Sequence, residues 1–213
     1  MKYRKLILST ENIHKVEEIR VILKDLPITV LSKKDVKVSS LHVEEDGETL
    51  EENAIKKARA LADRIDGMVL ADDSGLFVDC LDGGNAPGVH SARYAGADAT
   101  DEDNNDKLLR ELKGVPLEKR RAKFKAVIAL VLENKDILTV DGECSGVIAF
   151  EPRGKNGFGY DPLFIVDGYD MTFAELSEDV KNRISHRAKA LNRLKDEIMN
   201  VIKDDRYEGI RGK

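Results

Sequence analysis

The chain has 213 residues, 41% hydrophobic and 35% charged, with 35 Lys and Arg against 40 Asp and Glu for a net charge of −5. A chain of this length buries roughly 70% of the surface its unfolded form exposes, so it needs no disulfide or metal staple. The longest apolar run, Ala126 to Leu132, spans 7 residues against the roughly 20 that cross a bilayer. The mild acidity offers no positive field for a nucleic acid polymer.

Leu6, Ile7 and Leu8 make too short a stretch for a secretory signal, and the protein is expected in the cytoplasm. One domain over 1–213 is expected, with or without two lobes and with a tail that frays after about Asp204. Cys80 and Cys144 have no second Cys or His at ligand spacing and read as buried free thiols.

In chain order, Arg4 to Ser9 reads as an apolar strand. From Asn12, Val16, Ile19 and Leu23 recur at helical spacing. Ile28 to Leu31 returns as a strand. Thr49 with Glu52 is a capping box, followed by the stripe Leu50, Ala54, Ala58, Leu61 and Ile65. Met68 to Ala71 reads as a buried strand that ends at Asp72 and Asp73, and Phe77 to Leu81 resumes extended character. Thr100 caps a helix carrying Leu108, Leu109 and Leu112, which Gly114 stops.

Ala122, Phe124, Ala126, Ile128, Leu130 and Leu132 alternate along one long strand. Ile137 to Val140 and Gly146 to Phe150 read as two partners for it, and Leu163 to Val166 as another strand. Thr172 with Glu175 is read as a second capping box, and a last helix from about Ser185 buries Ala188, Leu191, Leu194, Ile198 and Ile202. This order predicts an α/β fold on a mixed sheet flanked by helices.

Four segments carry chemistry. The turn Ser9 to Lys15 joins a strand to a helix amino end, where unpaired N–H groups and the positive dipole end suit a phosphate. A capped polar turn explains the same residues. Glu44, Glu45 and Asp46 ahead of Gly47, with Asp72 and Asp73, could supply the few carboxylates that Mg²⁺ takes beside water and phosphate oxygens. Solvated acidic loops and ordinary turn chemistry explain them equally.

The loop Gly154 to Pro162 sets Phe158 and Tyr160 among three glycines, which suits a planar ligand or a turn that plugs the core. In Lys181 to Ala188, Ser185 caps a helix whose first turn holds His186 and Arg187. Cations there oppose the dipole and call for an acceptor. His42 and His90 have no ligand partners nearby in sequence and read as surface or packed residues.

Taken together, Thr10-x-Asn12-x-x-Lys15, Glu44 ahead of Gly47, Glu52-Asn53-Ala54-x-x-Lys57-Ala58-Arg59, Ala71-Asp72-Asp73-Ser74-Gly75-Leu76, Ala86-Pro87-Gly88-x-x-Ser91-Ala92-Arg93-Tyr94, Gly157-Phe158-Gly159-Tyr160-Asp161-Pro162 and Ser185-His186-Arg187 resemble the inosine triphosphate pyrophosphatase family. The motifs run in family order from about residue 6 to about 195.

The resemblance implies an elongated mixed sheet with two lobes around a substrate cleft, usually as a homodimer. It implies a pyrophosphohydrolase that cuts ITP, dITP and XTP between the α and β phosphates. Mg²⁺ would be the cofactor, with Mn²⁺ as a possible substitute. Asp73 would be general base and metal ligand, with Glu44 the other metal carboxylate.

Thr10, Asn12, Lys15 and Lys57 would hold the triphosphate, and Glu11, Ile13, His14 and Ser74 would also touch substrate. Phe158, Gly159, Tyr160, Asp161, Lys181, His186 and Arg187 would form the base pocket. Two positions depart from the family's usual Thr-Gly-Asn turn: Glu11 replaces the glycine, and His14 stands where a small or basic residue is frequent. A glutamate there repels a triphosphate unless it points outward or joins the metal shell. The competing readings are a related nucleotide pyrophosphatase with another base preference and a nucleotide-binding regulator without catalysis.

Overall fold

The computed structural model describes residues 4–38 and 41–211, with side chains described through Ile202. Its elements are β1 (Arg4–Leu8), α1 (Ile13–Leu23), β2 (Ile28–Ser32), α2 (Leu50–Ala62), β3 (Met68–Val78), α3 (Asp101–Glu111), β4 (Arg121–Val131), β5 (Ile137–Ile148), β6 (Phe164–Val166), α4 (Glu178–Ile184) and α5 (His186–Arg211). One six-stranded sheet runs in the order β2-β1-β3-β4-β5-β6. The β1 pairings are parallel, and the ladders from β3 to β6 are antiparallel. This is the expected α/β fold on a mixed sheet.

Alternation along the strands sends successive side chains to opposite faces. Leu6, Leu8, Met68, Leu70, Ile128 and Leu130 meet buried residues of α1 and α5 on one face. Ile7, Val69, Ala71, Ala129 and Val131 meet Ala54, Ala58 and Leu61 of α2 on the other. Further along β3 and β4, Leu76, Val78, Ala122 and Phe124 join a separate cluster with Phe164 and Phe173.

Four expectations change. β3 does not stop at the acidic pair: it runs unbroken through Asp72 and Asp73, because β4 pairs with it from Val69↔Val131 to Val78↔Ala122. What ends there is the β1 ladder, whose last partner is Leu8↔Leu70. The edge of β3 is thus free of β1 from residue 71, until Phe77 pairs with Pro87.

The expected segments 137–140 and 146–150 join in one strand, β5, which ends at Ile148, despite the polar and glycine residues between them, because β4 holds it from Ile137 to Val147. Gly142 allows this strand to meet α5: a Cβ there would lie 2.2 Å from the His186 carbonyl oxygen and 2.6 Å from the Ala190 nitrogen.

Thr172 begins no helix. Its N–H donates to Glu175 Oε2, but its hydroxyl donates to the Arg153 carbonyl at 2.9 Å instead of capping. The helix starts later, with Ser177 accepting from the Val180 N–H. Cys144 is buried as expected, whereas Cys80 is exposed. The expected fraying after Asp204 falls on residues whose side chains lie outside the description, although α5 continues to Arg211. Among the described residues no helix is long and apolar enough to cross a membrane.

Candidate active site

Asp72 and Asp73 are neighbours on β3, so they point to opposite faces of the sheet. Asp72 follows Met68 and Leu70 toward α1 and α5, where Lys15 Nζ lies 2.6 Å from its Oδ2 and Arg187 Nη2 3.1 Å from the same oxygen. Arg187 Nε donates to Oδ1 at 3.3 Å. Burial would raise this carboxyl, but Arg187 and then Lys15 hold it well below the usual carboxylate range.

Asp73 points to α2, whose Lys57 lies one turn from the buried Ala54 and next to the buried Ala58. Lys57 Nζ donates to Asp73 Oδ1 at 2.7 Å and to the Asp72 carbonyl at 3.0 Å. The other oxygen, Asp73 Oδ2, is buried and has no hydrogen-bond partner. Burial pushes this carboxyl up to about 6, with Lys57 opposing the rise and the nearby Glu45 charge adding to it.

Where β1 stops, a cleft of about 330 Å³ wraps over the open edge of β3 and reaches both carboxylates. Ser9, Thr10, Asn12, Lys15, Lys57 and Ser74 line it. Asn12 caps α1, its Oδ1 accepting from the His14 and Lys15 N–H groups at 3.0 and 3.2 Å. Thr10 Oγ1 accepts from the Asn12 N–H at 3.2 Å. Glu11 turns to Lys33, whose Nζ lies 2.8 Å from its Oε1, so its charge is countered by a second cleft residue.

A second cavity of about 140 Å³ shares Asn12, Lys15, Ser74 and Ala92 with the first. Its walls include Phe124, Phe158, Gly159, Tyr160, Asp161, Lys181, His186 and Arg187. His186 is buried and stacked on Phe124, with centroids 4.8 Å apart and planes at 9°. Burial, with the neighbouring Arg187 charge, drives its pKa well below the usual histidine value, and its Nδ1 has no partner.

Phe158 is half-buried under the Lys181 ammonium at 4.7 Å. Tyr160 is the plug of the loop: its ring is buried and its hydroxyl donates to the Ser91 carbonyl at 2.9 Å. Asp161 Oδ2 accepts from the Phe158 N–H and from Lys181 Nζ, at 3.0 and 2.7 Å. Gly157, at φ +78°, leaves room for that carboxylate, since a Cβ would lie 2.1 Å from Oδ2.

Arg187 and Lys181 find their acceptors within the chain. Glu18 of α1 takes Arg187 Nη1 at 2.6 Å and Lys181 Nζ at 2.9 Å, and Ser74 Oγ lies 3.1 Å from Arg187 Nη2. A chain of ion pairs thus runs Asp161, Lys181, Glu18, Arg187, Asp72, Lys15 beneath both cavities.

Three residues named from sequence stand apart. Glu44 is exposed and outside the cleft lining, and it is Glu45 that lines the cleft with Oε2 3.3 Å from Lys57 Nζ. Ile13 is 63% exposed, and His14 stacks on Phe158 at 5.4 Å while lining a neighbouring surface cavity instead. Glu45 belonged to the acidic set Glu44 to Asp46 read as candidate metal carboxylates, whereas Glu18 and Lys33 had no role in the sequence reading, and His42 and His90 both line the cleft. Glu18 was legible in part, as the acid one turn beyond Lys15 on α1.

The sequence model of the Ham1 family matches residues 6–197. The chain belongs to the Ham1 family. Within that family it is 51% identical over 200 residues to a protein of Thermoanaerobacter pseudethanolicus named dITP/XTP pyrophosphatase, covering 94% of this chain and 99% of the relative. The solved Ham1 protein of Staphylococcus aureus superposes with a TM-score of 0.81 at 40% identity, over 92% of this chain and 99% of that one. The HAM1 protein of Coxiella burnetii gives 0.82 at 42% identity, with the same two coverages. The sheet and its helices are thus those of a Ham1 fold.

Proposed function

We propose that the protein is a Mg²⁺-dependent pyrophosphohydrolase that converts ITP, dITP and XTP to the monophosphate and pyrophosphate. The observation that carries this reading is the buried, unpartnered Asp73 Oδ2 facing a cleft lined by Lys15 and Lys57. A buried carboxylate oxygen without a donor is costly unless something else meets it. A hard divalent cation fits there, with Asp73 and Glu45 as protein oxygens and water and phosphate completing the shell. Mn²⁺ accepts similar ligands. When bound, such an ion neutralises phosphate charge and acidifies water.

The chain's own residues supply the rest. Lys15 and Lys57, with the positive end of the α1 dipole, draw the polyphosphate over the edge of β3. Asp73 accepts the proton of a water whose oxygen bonds to the α phosphorus, and the bond to the bridging oxygen breaks to release pyrophosphate. Lys57 fixes the carboxylate through Oδ1 and leaves Oδ2 for that water. The base enters the aromatic cavity beside Phe158.

Neutral His186 lines this cavity with Nδ1 unpartnered, and in one tautomer that nitrogen is the donor available to a 6-oxo group. The 6-amino group of adenine would meet that donor with another, and buried mismatches of this kind reject substrates by about 10⁴ or more. A homodimer, as the family resemblance implies, is tested by light scattering. The activity is tested by pyrophosphate release from ITP, dITP, XTP, GTP and ATP, with Mg²⁺ and with chelator. Metal-dependent release confined to the first three supports the reading, and equal cleavage of ATP refutes it.

A further inference from the structure

We propose that Lys33 and Arg93 form a subsite for the terminal phosphate of the substrate and select triphosphates over diphosphates. This inference rests on the proposed polyphosphate cleft and adds two residues that the resemblance does not assign. Asn12, Lys15, Ser74 and Ala92 are shared by the two cavities and mark their junction, whereas Lys33 and Arg93, the latter next to Ala92 in the chain, line only the polar cleft, with Leu41, His42 and His90 around them. They lie on the polar side of the junction with Lys57 and Asp73, the side that receives the polyphosphate when the base fills the aromatic cavity.

Both cations are anchored by backbone carbonyls, and Lys33 is also paired with the exposed Glu11. Lys33 is 7% exposed, and its Nζ donates to the Leu41 carbonyl at 2.5 Å and to Glu11 at 2.8 Å, which leaves one of its three donors. Arg93 Nη2 donates to the Glu45 carbonyl at 2.6 Å and lies 3.0 Å from His90 Nδ1. Among the described residues no carboxylate pairs with Arg93, so a half-buried guanidinium with spare donors faces the cleft.

A planar fork of this kind suits a phosphate, and the ammonium supplies a second point charge. Glu11 is exposed and occupies the position at Lys33 that a phosphate oxygen takes over on binding. A diphosphate ends short of this pair.

The test uses the full chain with Lys33→Met and Arg93→Gln, measuring kcat/KM for ITP and IDP and calorimetric affinity for inorganic triphosphate, all with Mg²⁺. Each variant is expected to lose about tenfold or more on ITP and less than about threefold on IDP, with triphosphate affinity falling about tenfold. Lys33→Gln keeps a neutral donor for the Leu41 carbonyl and should show the same pattern, and Arg93→Lys should recover part of the loss.

Equal losses on ITP and IDP would overturn the inference, because they mean that the two residues only hold the loop at Leu41 and Glu45. Unchanged triphosphate affinity overturns it too. Absence of ITP hydrolysis in the unaltered protein would instead refute the proposed function, and the triphosphate arm would still decide this subsite.

Discussion

Lys57 Nζ lies 2.7 Å from Asp73 Oδ1, while Asp73 Oδ2, on the same buried carboxylate, has no partner. One oxygen is fixed and the other is held ready. Asp73→Asn should therefore abolish most turnover, by about 10²–10⁴ for a lost general base, without unfolding the chain. The stability effect has a definite sign. A carboxyl raised to about 6 contributes stability in full below its unfolded pKa near 3.8, and that contribution is lost as pH rises through about 6. At pH 7.5 without metal, the Asn variant should melt at or above the unaltered protein's temperature. A variant that melts far lower, or that turns over normally, would remove Asp73 from this role.

His186 gives a pH effect of the opposite sign. It is buried and neutral, with its pKa driven well below the usual value by burial and then by Arg187. In the unfolded chain it protonates near pH 6.5 while the folded form does not, so stability is present above that pH and falls as pH drops below it. The slope this one group adds is at most about 1.4 kcal/mol per pH unit. Denaturant melts from pH 7.5 to 5 should show the loss in the native sequence and a shallower fall in His186→Gln. Parallel slopes in the two proteins would show that His186 is not the acid-sensitive group.

Arg187 bridges two helices and a strand, and its removal leaves Asp72 and Glu18 buried with fewer partners. Breaking a buried pair from one side costs about 3–5 kcal/mol, and Arg187→Met should lose that much in urea melts. Because Asp72 is held far below the usual range, this loss should be nearly constant above about pH 5. Adding Asp72→Asn should recover about 0.5–3 kcal/mol of it, the coupling expected of residues in one network. Strict additivity would mean that the ion-pair chain is not the source of the effect.

The helices were the most legible part of the sequence because their signals are local. Asn12, Thr49 and Thr100 cap α1, α2 and α3, and the stripes behind them face the core. The unbroken strands were less legible. Nothing local in Asp72-Asp73-Ser74-Gly75 announces a strand, since only the ladder to β4 holds it extended, and Asp141 to Ser145 in β5 pose the same problem. Glu45 rather than Glu44 lines the cleft because Arg93 grips its carbonyl from a motif 48 residues away. Lys33 gives no periodic or motif signal at all. Its meaning comes from β2 ending where Glu11 and Leu41 converge, a relation between three segments.

Gly142 ties the sheet to the site. A Cβ at this position of β5 would meet the His186 carbonyl at 2.2 Å and the Ala190 nitrogen at 2.6 Å, so α5 lies against bare backbone there. Gly142→Ala should force the first turn of α5 outward at a cost of about 1–3 kcal/mol, the usual range for overpacking. His186 and Arg187 start that turn, so the displacement should reach the base cavity before it reaches Asp73. The expected kinetic result is a KM for ITP raised several-fold, with kcat changed much less, beside a lower melting temperature. A large fall in kcat at unchanged KM would place the strain at β3 instead, and would mean that α5 does not set the position of the base.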